Sequence, residues 1–159
     1  MRPAERDVVC ERALDFLERL FDPDQRDATF RELAPRPRDH ARIFASGAAA
    51  DRARRYYEVL HAVGSGVSPR REHCAIHVFA EQAADLSAQP PGFPDEYARV
   101  AHHLAPDVAW LSFAFSDEKG GDLDLHEGLV ALEDRFVWLP SPWQALDAVE
   151  PALFAGWSD

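Results

Sequence analysis

The spacing of apolar residues changes once along this chain, and that change limits the fold more than any single motif. Near the start, Val9, Ala13, Phe16 and Leu20, with Cys10, Leu14, Leu17 and Phe21, recur at intervals of three and four. Glu11, Arg12, Asp15, Glu18 and Arg19 lie opposite them. This is the pattern of an amphipathic helix from Asp7 to about Phe21. From Asp107 to Asp117 the interval is two: Ala109, Leu111, Phe113 and Phe115 alternate with Val108, Trp110, Ser112, Ala114 and Ser116. That spacing requires a strand. Helices first and strands later predict an α+β fold, with N-terminal helices packed on one face of a curved, cone-like antiparallel sheet of about four strands.

Turn chemistry divides the rest. Asp24 to Leu33 reads as a short helix stopped by Pro35 and Pro37, Asp39 caps a brief turn carrying Ile43 and Phe44, and Ser46 caps a longer helix to about Val63. Residues 72–80 alternate as a strand, although Ile76, Phe79, Ala80 and Ala83 also fit a helical period. A strand turning helical near Glu81 to Leu86 is expected. A helix from Pro94 to about Leu104 follows. The turn Lys119-Gly120-Gly121 joins Asp107–Asp117 to a strand from Asp122 to Leu132, and Arg135 to Leu139 completes a meander. Trp143, Leu146, Leu153 and Trp157 lie in a tail expected to fold back as a short helix. One domain is predicted over residues 1–159, with a helical half (1–63), a sheet half (72–139) and a tail (140–159).

Charge follows the same division. Residues 1–71 carry 14 Arg and 12 acidic side chains, whereas residues 72–159 carry two Arg, one Lys and 16 acidic side chains, and the whole chain has a formal charge of -11. A negative field repels phosphate backbones and anionic lipid, so nucleic-acid and membrane partners are disfavoured and a basic protein partner is expected. The alternative is that acidic surface serves solubility alone. Asp117, Glu118, Asp122, Asp124, Glu133 and Asp134 are the candidate partner-binding residues. No apolar run reaches membrane-spanning length and the N-terminus turns charged early, which predicts a cytoplasmic protein. Cys10 and Cys74 match neither a disulfide framework nor a Cys-x-x-Cys pair.

Three groups of residues could carry chemistry. His73 and His77, with Glu81, would share a face on a helix, but on a strand the two histidines stand roughly 13 Å apart, too far for one ion. No metal and no cofactor are expected. The carboxylates around the hairpin lack the spacing of a calcium loop, and Asp122, Asp124 and His126 are expected to face solvent or a partner. Glu127 has two readings. In the register of Leu123 and Leu125 it enters the covered face, where desolvation raises its pKa towards that of a general acid or base; a bulge at Glu127-Gly128 would instead rotate it outward. Glu127, His77 and His61 are thus the catalytic candidates. Tyr56, Tyr57, Trp110 and Trp138 are candidate pocket residues, or simply core. His102-His103, near the end of the Pro94 helix, suits the helix dipole.

The helical first 63 positions, the start Phe93-Pro94-Asp95-Glu96-Tyr97 and the run from Gly128 to Pro140 together resemble the nuclear transport factor two-like, or SnoaL-like, superfamily. That resemblance implies a cystatin-like sheet wrapped round a long helix, in a group that includes small isomerases, dehydratases and non-catalytic binding domains. Two functions are therefore carried forward. One is a non-catalytic domain that binds a basic protein, for instance as an immunity or antitoxin-like inhibitor. The other is a small cofactor-independent enzyme or ligand-binding protein using Glu127 in an aromatic pocket. Exposed Trp143 and Trp157 would favour a homodimer contact.

Overall fold

The computed structural model describes residues 1–63, 66–120 and 123–147. Helices α1 (Pro3–Leu17), α2 (Pro23–Glu32) and α3 (Pro37–Ile43) each open on a proline. They begin earlier than the acidic residues Asp7, Asp24 and Asp39 had suggested. Proline suits the first helical position because its missing N–H has no intrahelical partner to lose. Helix α4 (Gly47–Ala62) follows the expected cap, with the Ala49 N–H donating to Ser46 Oγ at 3.2 Å.

Residues 75–82 are strand β1 (Ala75–Gln82), so the alternating pattern prevails over the helical one, and a 3-10 turn at Ala83–Ala88 takes the place of the helix expected from Glu81. The Pro94 helix is much shorter than expected. A single turn, α5 (Tyr97–Val100), passes into a 3-10 turn at Ala101–His103. Strands β2 (Ala109–Ser116), β3 (Asp124–Ala131) and β4 (Phe136–Trp138) form the meander, followed by the short helix α6 (Pro142–Leu146). Leu153 and Trp157 lie outside the described residues. The sheet is antiparallel throughout in the order β1-β2-β3-β4, and the fold is α+β.

Helices cover the first face of this sheet and the Trp110 end of the second, not one face alone. On the first face Leu111, Phe113, Phe115, Leu129, Phe136 and Trp138 pack against Ala13, Leu17 and Leu20 of the α1 region. On the second, Trp110, Val130 and Val137 pack against Ala49, Ala53 and Tyr57 of α4 and Tyr97 of α5. The reason lies in β2, where every residue from Trp110 to Ser116 is buried. A strand apolar on one face and merely small on the other, apart from Trp110, can be covered twice. Each fully buried large apolar side chain stabilises the fold by about 1.5–3 kcal/mol. No described helix is long and apolar enough to cross a membrane.

The β2–β3 register slips between Leu111 and Ser112, leaving Gly128 as the extra residue of a bulge. Its φ is +86°, and a Cβ there would overlap the Leu139 carbonyl oxygen. The close approach is bonded, because the Leu139 N–H donates to Gly128 O at 2.7 Å. Glycine is thus required twice over at this position, by dihedral and by space.

Candidate functional site

The bulge changes which side chains face inward. Before it, Leu125 and Glu127 lie on the second face opposite Ala114 and Ser112; after it, Leu129 lies on the first. Glu127 therefore points into the structure even though the bulge is present, which combines the two readings of the sequence. The Tyr97 hydroxyl donates to Glu127 Oε2 at 2.6 Å, the Ser141 N–H donates to Oε1 at 2.7 Å, and Ser141 Oγ reaches the same oxygen at 3.3 Å. Ser141 is itself in the left-handed region with φ +51°. One carboxylate thereby joins β3, α5 and the β4–α6 link.

Glu127 is partly accessible as a residue, but its carboxyl end is enclosed. Burial raises its pKa, and the donors at Tyr97 and Ser141 pull the other way without cancelling the rise. Burial, then the neighbouring carboxylate, holds the Tyr57 and Tyr97 hydroxyls well above the usual phenol range. The Tyr57 hydroxyl donates to Leu139 O at 3.1 Å and Pro140 O at 3.0 Å, fixing the same link from the helical side. Tyr97 and Ser141 were not singled out from the sequence. The only hint was Ser141 standing between Pro140 and Pro142, which restrict the turn.

The other catalytic candidates do not join Glu127. His61 donates from Nε2 to Trp138 O at 3.0 Å, and burial lowers its pKa. His77 is exposed, with Nε2 3.0 Å from Ser116 Oγ. It sits on β1, two strands and one row from Glu127, or roughly 12 Å across the sheet.

The expected pocket is also divided. Tyr57 and Trp110 belong to the second-face core with Tyr56 against it, whereas Trp138 belongs to the first-face core beside Phe30. The β4 register explains this, because Trp138 pairs with Leu129 and so shares the face of Phe136. Trp138 nevertheless donates from Nε1 to Glu127 O at 2.9 Å.

The five described acidic candidates do not gather in one place. Asp117 and Glu118 follow β2 at the hairpin end, while Glu133 and Asp134 follow β3 at the opposite end, roughly 25 Å away by strand rise. Asp122 lies outside the described residues. Asp124 and His126 are not turned to solvent as expected; they face the first-face core, 3.5 Å apart, with the His126 ring 5.3 Å from Phe113. The slipped register puts Leu125 outward in their place, at 48% exposed. Burial lowers the His126 pKa, partly offset by Asp124.

Glu133 and Asp134 sit among arginines contributed by the other half of the chain. Glu133 is 3.6 Å from Arg42, and Arg12 donates to the Leu132 and Glu133 carbonyls. Arg135 donates to Asp39 Oδ2 at 2.6 Å and to the Glu32 and Ala34 carbonyls at 2.7 Å. A cleft of about 380 Å³ beside them is lined by Phe16, Phe136, Arg12, Arg19, Asp15 and Asp134, among others. The five described carboxylates of this set therefore form no single acidic surface.

Among the described residues no group of three His, Cys, Asp or Glu is placed to hold a metal ion. No protein-family model matches the chain, and no curated protein or solved structure shows a detectable match to it.

Proposed function

We propose that this chain is a non-catalytic protein-binding domain with a basic partner, an immunity or antitoxin-like inhibitor being one concrete form. The reading rests on how the catalytic candidates are committed: each Glu127 oxygen accepts a bond from the protein's own donors, His61 Nε2 is taken by a carbonyl, and His77 lies on a distant strand. A net charge of -11 supports the sign of the partner, since unlike charge accelerates encounter and selects against acidic surfaces. Affinity purification at low and high ionic strength tests this. The expected result is a basic protein retained at low salt and released at high salt; recovery of no protein partner at low salt would overturn it.

One observation favours a second reading, the raised pKa of an enclosed Glu127 carboxyl held by Tyr97 and Ser141. This is the environment of a carboxyl group that moves a proton next to a carbonyl, as a SnoaL-like enzyme would need. It requires Tyr97 or Ser141 to release an oxygen when a substrate arrives. Glu127→Gln should then abolish turnover of an enolisable substrate while leaving the fold intact.

A further inference from the structure

The stretch from Gly92 to Tyr97 lies across the second face of the sheet like a strap. Ser112 Oγ donates to Gly92 O at 2.5 Å, a Cβ on Gly92 would collide with the Phe79 ring, and the Tyr97 hydroxyl reaches Glu127. The strap therefore follows one row of the sheet, Phe79–Ser112–Glu127. On its helical side stand Trp110, Val130 and Val137, fully buried. At the strap's own row Phe79 is 39% exposed, and beyond it Leu125 (48%) and Leu123 (61%) stand open on the β3 side of the small residues Ala114 and Ser116, with exposed His77 opposite Ala114 on β1.

Apolar side chains of this size are left in water at one end of a sheet whose other end is covered on both faces. Carboxylates border this strip at its two ends, Asp95 and Glu96 on the strap and Glu118 at the hairpin; among the described residues none of the three makes an ion pair. The strap's row at Ser112 and the end of β2 at Ser116 are separated by roughly 14 Å, the rise of four strand residues, and Glu118 follows two residues beyond.

We propose that this strip is the docking face for an apolar-faced, cationic segment of the partner. The proposal rests on the protein-binding reading above and narrows it to one face. The apolar side chains of such a segment cover Phe79, Leu125 and Leu123. Its lysines or arginines meet the two carboxylate borders, spaced at least about four residues apart if extended or about nine if helical. Glu133 and Asp134, matched by arginines of the same chain, take no part.

Fluorescence anisotropy with a labelled amphipathic peptide of Leu and Lys tests this, with a Leu and Glu peptide of the same apolar spacing as control. The Leu–Lys peptide should bind and the Leu–Glu peptide should not. Phe79→Ser and Leu125→Ser should each weaken binding by about tenfold or more, whereas the double variant Glu133→Gln, Asp134→Asn should bind as the parent does. Thermal unfolding of the two serine variants verifies that these exposed positions have not cost the fold. If the parent binds the Leu–Lys peptide and both serine variants bind it equally well, the docking face is wrong while the protein-binding reading stands. If the parent binds neither peptide, the docking face falls, while the protein-binding reading stands or falls by the affinity purification. A parent dimer in sedimentation that Leu125→Ser disperses would overturn the proposal by assigning the strip to a second copy of the chain.

Discussion

The two ends of β3 carry similar acidic sequences and meet opposite surroundings. At the β3–β4 turn, Glu133 and Asp134 lie beside Arg12, Arg42 and Arg135, with Arg36 and Arg38 near enough to act on the Arg135 guanidinium. At the hairpin end, Glu118 follows an open apolar strip, with Lys119 next to it in sequence. The difference teaches that a charge count along a chain does not describe a surface. Residues 1–71 supply most of the arginines that surround the carboxylates of the acidic half at one end and leave the other end to its own charge.

The strongest test breaks the arginine-rich end. Arg135 joins Asp39, which is 2% exposed, to the carbonyls after α2. Removing one partner of a buried pair leaves an uncompensated charge. Arg135→Ala should cost about 3–5 kcal/mol in chemical denaturation; a loss below about 1 kcal/mol would show that the pair behaves as a surface one.

Between the two ends, the bulge decides which side chains reach the strip. Gly128→Ala must place a Cβ against Leu139 in a left-handed backbone. A loss of about 2–3 kcal/mol is expected in the same denaturation assay, and an unchanged midpoint would mean that the link after β4 can move aside.

A subtler effect sharpens the comparison through pH. Burial raises the folded pKa of Glu127 above its ordinary value of 4.5, so the folded state holds this proton more tightly than the unfolded one. The associated stability is fully present below pH 4.5 and is lost as pH rises through the folded pKa. His40, His61 and His126 act in the opposite sense. Burial depresses their folded pKa below 6.5, so their contribution is present above that pH and lost as pH falls. Unfolding free energies of parent and Glu127→Gln followed from acid to neutral pH separate the two. The variant should gain on the parent as pH rises above 4.5, and a constant difference would mean that Glu127 does not titrate differently in the fold.

Much of the architecture could be read in advance. The helical spacing around Ala13 and Leu17, the alternation from Ala109 to Phe115, the Ser46 cap and the Lys119-Gly120 turn all act within a few residues, and all appear. Helix starts were displaced because proline outranked the following aspartates. The length of the Pro94 helix could not be judged, since propensity within Tyr97–His103 does not say where packing stops. At the site, Glu127 was recognisable as a side chain that could turn inward, but its partners were not. Tyr97 and Ser141 lie 30 and 14 residues away and meet it only through the sheet.

By itself, then, the sequence determined the kinds of element, their order and the overall sign of the charge, because periodicity, caps and composition act locally or as sums. Tertiary structure alone decided that helices cover the first face and the Trp110 end of the second, that Trp138 and Tyr57 part company, and that Glu133 meets Arg42 while Leu125 is left in water. Those outcomes depend on the register between strands, where one extra residue at Gly128 exchanges inward for outward and no short window of sequence contains both partners.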